Sequence, residues 1–201
     1  LVIVHGDTAT TAIASLVAFL HRIKIGHVEA GLRSFCKSQP WPEEINRQIT
    51  DILADLYFAP TKGAYRNLIN EKISSSSIYI TGNTVVDAVN YMSKKIEGDV
   101  YLLKKFEKKF KYLNSEKKLI LLTGHRRENF GKNIRSVFSA LKELSSNHNV
   151  EILFPAHPNP ELQKEIKLSL KNIKNFYITP PSNYPEFVYL MKRCNLIISD
   201  S

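Results

Sequence analysis

One rhythm limits the fold of this chain more than any other feature. Short, wholly apolar runs are separated by longer amphipathic stretches. The runs are "LVIV", "KIGHV", "LYFA", "IYIT", "KLILLT", "EILFP", "FYIT" and "LIIS". They are rich in Ile, Leu, Val, Tyr and Phe and do not alternate with polar residues, so they predict parallel strands covered on both faces. Between them the spacing predicts helices over 8–22, 42–54, 61–70, 84–95, 130–144, 160–170 and 184–193. The first carries an apolar stripe at Ile13, Leu16, Val17 and Leu20, of the kind that faces a core. The second opens on Pro42, followed by Glu43 and Glu44, which puts negative charge at the positive end of the helix dipole. Repeated strand–helix alternation predicts an α/β fold of two Rossmann-like, doubly wound parallel sheets, both incomplete in this chain. The stretch 84–113 breaks the rhythm, with two helical segments in a row and a dense run of lysines. It reads as the passage between two units, 1–85 and 86–201, the alternative being a surface helix added to one sheet.

In an open parallel sheet, ligands bind beyond the carboxyl ends of the strands, so the residues that follow each apolar run are the candidates. After "LVIV" come His5, Gly6, Asp7 and Thr8, and after "KIGHV" come Glu29 to Arg33. The helix opening on "TATT" offers hydroxyls and backbone N–H groups suited to capping or to an anion. Asp7 and Glu29 thus stand at corresponding strand ends, and Glu43 opens the helix after "QPWP". Carboxylates near one another raise each other's pKa, so one can hold a proton while another acts as a base. Each residue also has a local reading: Asp7 as a turn or N-cap residue, and Glu29 and Glu43 in ion pairs with Arg33 and Arg47 or in a helix dipole. The second half repeats the logic. "KLILLT" leads into Gly124, His125, Arg126, Arg127, Glu128 and Asn129, "EILFP" into His157, and "LIIS" into Asp200 and Ser201. A histidine can donate to phosphate or transfer protons near neutral pH, and arginines can clamp phosphate or carboxylate oxygens. The local alternative there is a capping and salt-bridge loop.

Composition narrows the partners. The formal net charge of +9 fits either a lysine-rich solvated surface or a phosphate-bearing partner, and charge alone does not separate nucleic acid from a nucleotide. The aromatic residues of the second half fall at helical and core spacing, which argues against an RNA-stacking platform. No GxGxxG, P-loop or HExxH motif is present, so neither a dinucleotide cofactor nor a metal is expected. Cys36 and Cys194 form no CxxC pair, which fits a reducing, cytoplasmic setting. The longest strongly apolar stretch, "AIASLVAFL", is too short to span a bilayer. The chain opens inside a strand-like run without an initiator Met and stops just after another, so both ends of a longer protein are expected to be missing.

With these residues in view, the chain resembles the non-hydrolysing UDP-N-acetylglucosamine 2-epimerases. The matching stretches are "VHGDTATT", "GHVEAGLRS", "PWPEEINR", "ADLYFAPT", "TGNTVVDA", "TGHRRENFG", "PAHPNP" and the terminal "DS". They follow the family's order and cover nearly the whole chain. The resemblance implies a two-domain fold like that of the GT-B glycosyltransferases, with a UDP-sugar in the cleft between the domains. It implies reversible inversion at C2 of UDP-GlcNAc to UDP-ManNAc, for surface polysaccharide precursors, by elimination of UDP to a 2-acetamidoglucal and re-addition on the other face. By the same resemblance Asp7, Glu29 and Glu43 are acid–base carboxylates and His125 is a catalytic contact to the substrate phosphate. Arg33, Arg127, Phe187 and Ser201 are expected to touch substrate, with Phe187 near the uracil and Ser201 on the diphosphate. Arg126 and His157 match positions that hold a second, activating UDP-GlcNAc. A homodimer is expected, and neither nucleic acid nor membrane as a partner. The family's "GTRPE"-like opening loop and its "GGIQEE" segment are absent, so the 201-residue piece alone is expected to be inactive or nearly so. The enzymatic alternatives are a hydrolysing 2-epimerase and a GT-B glycosyltransferase. The non-enzymatic one is an inactive, truncated nucleotide-sugar binder.

Overall fold

The structure is a computed structural model that describes residues 1–124, 132–146, 149–170 and 173–200. The chain divides into two compact units, Leu1–Ala88 and Val89–Ser201.

The first unit runs β1 (Val2–His5), α1 (Ala9–Leu20), β2 (Ile25–Val28), α2 (Glu43–Leu53), β3 (Leu56–Ala59), α3 (Lys62–Asn70) and β4 (Ile78–Ile80). Its strands form one parallel sheet in the order β1-β2-β3-β4. Two clusters core it. Val4, Ala18 and Ile25 pack where α1 and α2 meet β1 and β2, and Tyr57, Ala59, Ala64, Leu68 and Ile78 pack where α3 meets β3 and β4. Helix starts follow local chemistry: Thr8 accepts from Thr11 N at the head of α1, and Thr61 from Ala64 N at the head of α3. The hydroxyls of Thr8 and Thr11 are therefore spent on capping and on His5 O, to which Thr11 Oγ1 donates at 2.7 Å.

The apolar stripe of α1 departs from expectation. Ile13, Leu16, Val17 and Leu20 are exposed, while Thr11, Ala12, Ser15 and Ala18 are buried. The helix meets its own unit through small residues, which let it approach the sheet and α2 closely. Periodicity identifies the apolar face, not the face that this unit covers.

The second unit takes in α4 (Thr84–Gly98) from Val89 onward, then α5 (Val100–Lys109), β5 (Lys118–Thr123), α6 (Lys132–Ser145), β6 (Val150–Pro155), α7 (Pro160–Ser169), β7 (Phe176–Thr179), α8 (Tyr184–Arg193) and β8 (Leu196–Ser199). Its strands form a parallel sheet in the order β7-β6-β5-β8. The period of two along a strand explains the apolar runs. Ile120, Leu122, Ile152 and Phe154 face a cluster with α6 and α7, whereas Leu119, Leu121 and Leu153 face one built by α4, α5 and α8. The parallel sheets read from the sequence are present in both units; the second is covered on both faces, whereas in the first Ile3, Tyr79 and Ile80 stand exposed. Among the described residues no helix is long and apolar enough to cross a membrane.

Candidate active site

The site of the first unit assembles at the carboxyl ends of β1 and β2. These strands pair in the register His5↔Val28, so Asp7 and Glu29 leave the sheet from adjacent strands. Gly6 turns the chain with φ 72°, and its N–H donates to Val28 O at 3.0 Å. A Cβ at Gly6 would stand 3.5 Å from Glu29 Oε2, so the Glu29 carboxylate packs over the Gly6 backbone. Its other oxygen lies 3.6 Å from His5 Nε2. Glu29 itself has φ 72°, a left-handed conformation that costs a residue with a Cβ about 1–2 kcal/mol. Such conformations persist where the surroundings over-determine them, and they gather at functional sites. Here the N–H groups of Glu29 and Ala30 both donate to Phe58 O, at 3.1 and 3.3 Å.

Asp7 is not the N-cap of α1, a place Thr8 takes, and its side chain is half-buried. Its carboxylate pairs with Arg47 Nη2, and its carbonyl accepts from Asn46 Nδ2 at 3.0 Å. Arg47 Nη1 also lies 3.6 Å from Glu44 Oε2. Glu44 is fully buried and accepts from Ser34 N at 2.9 Å, Phe35 N at 3.2 Å and Gln48 Nε2 at 2.8 Å. Burial alone would raise its pKa, but these donors outweigh it and hold the carboxyl below the ordinary glutamate range. Glu43, one residue earlier, presents a buried Oε2 with no hydrogen-bond partner among the described residues, and the same holds for Arg47 Nε. The two residues are four apart on α2 and so share a helix face.

Arg33 stands differently from expectation. Its side chain is fully buried. Nε and Nη2 donate to Glu71 at 2.7 and 2.6 Å, Nη2 also meets Asp51 Oδ2 at 2.7 Å, and Nη1 donates to Leu32 O at 2.8 Å. Burial opposes its charge, yet Glu71 and Asp51 prevail and raise its pKa above the usual value. With its donors turned inward on protein acceptors, Arg33 is a clamp within the unit, not the substrate contact expected from its position after a strand. Beside it, burial first and then the carboxylates of Asp51, Asp55 and Glu71 push Tyr57 up to about 12.

In the second unit, β5 and β8 end beside a cavity of about 200 Å³ lined by Thr123, Gly124, Phe138, Ser199 and Asp200, among others. A Cβ at Gly124 would lie 3.6 Å from Asp200 Oδ2. His157 follows β6; its Nδ1 accepts from Asn159 N at 3.2 Å, and its carbonyl accepts from Gln163 Nε2 at 3.0 Å. Phe187 is half-buried on α8, against the cluster that contains Phe106 and Leu190. His125, Arg126, Arg127 and Ser201 lie outside the described residues. A larger cavity of about 550 Å³, lined by Ile96, Leu113 and Tyr189 among others, carries none of the expected site residues. Among the described residues no group of three or more His, Cys, Asp or Glu is arranged to hold a metal ion.

Local pattern reading does not single out Arg47 as the partner of Asp7, nor His27 and Asp51, which are buried as a hydrogen-bonded pair at 2.6 Å. A signal for them exists. Glu44, Arg47 and Asp51 recur at helical spacing on α2, so its periodic stripe is charged where a packed helix would show aliphatic residues.

The family model described as UDP-N-acetylglucosamine 2-epimerase matches residues 1–201. The Campylobacter jejuni UDP-N-acetylglucosamine 2-epimerase is 47% identical over 206 residues, which take in 100% of this chain and 54% of that protein. The Yersinia pestis protein of the same name is 43% identical over 201 residues, again 54% of its length. Among solved structures, UDP-GlcNAc 2-epimerase from Neisseria meningitidis bound to UDP-GlcNAc superposes with a TM-score of 0.93 at 40% identity, over 99% of this chain and 54% of that one. The chain therefore spans about half the length of the relatives it matches.

Proposed function

The chain belongs to the UDP-N-acetylglucosamine 2-epimerase family, and we propose that, in a protein of its relatives' length, it serves the reversible conversion of UDP-GlcNAc to UDP-ManNAc. The observation that carries this reading is the gathering of Asp7, Glu29 and the first turn of α2, with Glu43, at one end of a parallel sheet. A carboxylate takes the proton from C2, the bond from C1 to the diphosphate oxygen breaks, and UDP departs to leave 2-acetamidoglucal. UDP then adds back to C1 while a proton returns to C2 from the opposite face. Two proton transfers on opposite faces need more than one acid–base group, which three carboxylates can supply.

In this reading His125, Arg127 and Ser201 meet the diphosphate and Phe187 the uracil, while Arg126 and His157 receive a second UDP-GlcNAc as activator. The protein works as a cytoplasmic homodimer. The test uses the full-length gene product with UDP-GlcNAc in deuterated water, followed by NMR. The expected product is UDP-ManNAc carrying deuterium at C2. Free ManNAc with UDP would replace this reading by the hydrolytic one, and a substrate recovered with its C2 proton untouched would overturn it.

A further inference from the structure

We propose that Asp51 is a positioning residue that sets the geometry of all three carboxylates at once; this rests on the acid–base reading above. Asp51 is 1% exposed, too buried to be touched by a substrate. A buried carboxylate is costly unless it is paired and hydrogen-bonded, and each of its partners belongs to an element that carries a site residue.

Oδ1 lies 2.6 Å from His27 Nδ1, and the other ring nitrogen, Nε2, lies 2.8 Å from Gly6 O. That carbonyl directly precedes Asp7. Both nitrogens of His27 face acceptors, and they are satisfied together only when each carries a hydrogen. The second oxygen, Oδ2, accepts from Gly31 N at 3.1 Å and pairs with Arg33 Nη2 at 2.7 Å. Gly31 is held from its other side by Asn67 Nδ2, which donates to Gly31 O at 2.9 Å. The loop pinned between these contacts carries Glu29 in its left-handed conformation. Finally, Asp51 lies on α2 itself, eight residues after Glu43, or about 12 Å along the axis at 1.5 Å per residue. Anchoring Asp51 to β2 therefore fixes the rotation of the helix that presents Glu43 and, through Arg47, steadies Asp7. Arg33 lies between the carboxylates of Asp51 and Glu71, so its buried charge is paired on both sides.

A role through geometry separates turnover from binding, because the nucleotide contacts are proposed on the second unit. In the full-length protein, Asp51→Asn should lower kcat on the order of 10²-fold while the KM for UDP-GlcNAc and the Kd for UDP stay within about threefold. His27→Gln should behave alike, and the double variant should be no slower than the slower single, since both act through one contact. If Asp51→Asn does not fold, Arg33→Lys carries the test: it keeps a charge on Asp51 but loses the fork, and kcat should fall about tenfold at unchanged KM. A folded Asp51→Asn, or in its place Arg33→Lys, that turns over within about threefold of wild type overturns the inference. So do losses that multiply in the double variant. A wild-type protein that leaves UDP-GlcNAc unchanged overturns the functional reading and this inference with it, whereas an active wild type beside an equally active variant overturns this inference alone.

Discussion

Replacing Gly31 by alanine should cost the first unit about 1–5 kcal/mol, from two separable causes. Gly31 sits at φ 80°, where a Cβ is disfavoured by about 1–2 kcal/mol. The added Cβ would also stand 2.3 Å from Ala64 O, 2.8 Å from Leu68 Cγ and 2.9 Å from Ala64 C. Ala64 and Leu68 are buried on α3, whose first turn is capped by Thr61, so the nearest intruded atom is helix backbone that cannot swing aside and the Leu68 side chain is held in the core. Overpacking of this kind costs about 1–3 kcal/mol, offset by about 0.4–1 kcal/mol because alanine narrows the unfolded ensemble. Gly82 supplies the control: it has the same φ of 80°, but a Cβ there would meet nothing within 4 Å. Gly82→Ala should therefore show the left-handed cost alone. Urea unfolding midpoints for the two variants, compared at unchanged slope, measure the difference, expected at about 1–3 kcal/mol. Equal losses would refute the packing of Gly31 against α3. A loss at Gly31 below about 0.5 kcal/mol would refute the left-handed assignment as well.

Three further outcomes follow from the same geometry. Asp7→Asn, Glu29→Gln and Glu43→Gln should each slow UDP-ManNAc formation by the full-length protein on the order of 10²-fold or more, and near-full activity in all three would exclude their acid–base roles. Glu44 lies below the ordinary glutamate value of 4.5 when folded, so its contribution to stability is fully present above that value and is lost as the pH falls through the depressed one. Glu44→Gln should lower stability at neutral pH and flatten the acid limb of a stability-against-pH curve, and an unchanged limb would contradict the assignment. The exposed Cys36 thiol is lowered chiefly by its hydrogen bond with Ser38, whereas burial raises Cys194. Iodoacetamide at pH 8 should therefore label Cys36 first, as peptide mass spectrometry would report, and preferential labelling of Cys194 would reverse the two environments.

The parts of this molecule legible in its sequence are those that depend on neighbours along the chain. The strands of the second unit are legible because both faces of its sheet are covered, which makes "KLILLT" and "EILFP" apolar at nearly every position that packs. Caps were readable for the same reason: Thr61 reaches only three residues, to Ala64 N. Asp7 and Glu29 were found by a rule of topology, that parallel sheets bind at their carboxyl ends. What escaped depends on distance along the chain. Arg33 follows a strand, as an anion-binding arginine would, and nothing local announces Glu71, 38 residues away, as its partner. His27 and Asp51 are 24 residues apart. The stripe on α1 is legible as a stripe, but apolarity does not say which neighbour lies within reach, and this unit leaves it exposed.

The charged stripe of α2 ties these observations together. A helix that packed for stability alone would bury aliphatic residues, yet α2 buries Glu44, Thr50 and Asp51. Replacing buried ion pairs by well-packed apolar side chains is often neutral or stabilising, so the burial of acids here is poorly explained by stability. Each buried or paired acid on the helix fixes a loop that packing could not orient. Glu44 holds the backbone at Ser34 and Phe35, and Asp51 holds Gly31 and, through His27, Gly6. Arg47 holds the Asp7 side chain. Loops without apolar side chains to bury can be located to hydrogen-bond precision only by polar partners. A helix that presents those partners at successive turns makes one rigid element the reference for several loops. If that is why α2 is charged, replacing both partners of the His27–Asp51 pair by well-packed apolar side chains should lower kcat far more than it lowers the unfolding midpoint. A parallel fall of both in every such variant would show that the stripe serves the fold first.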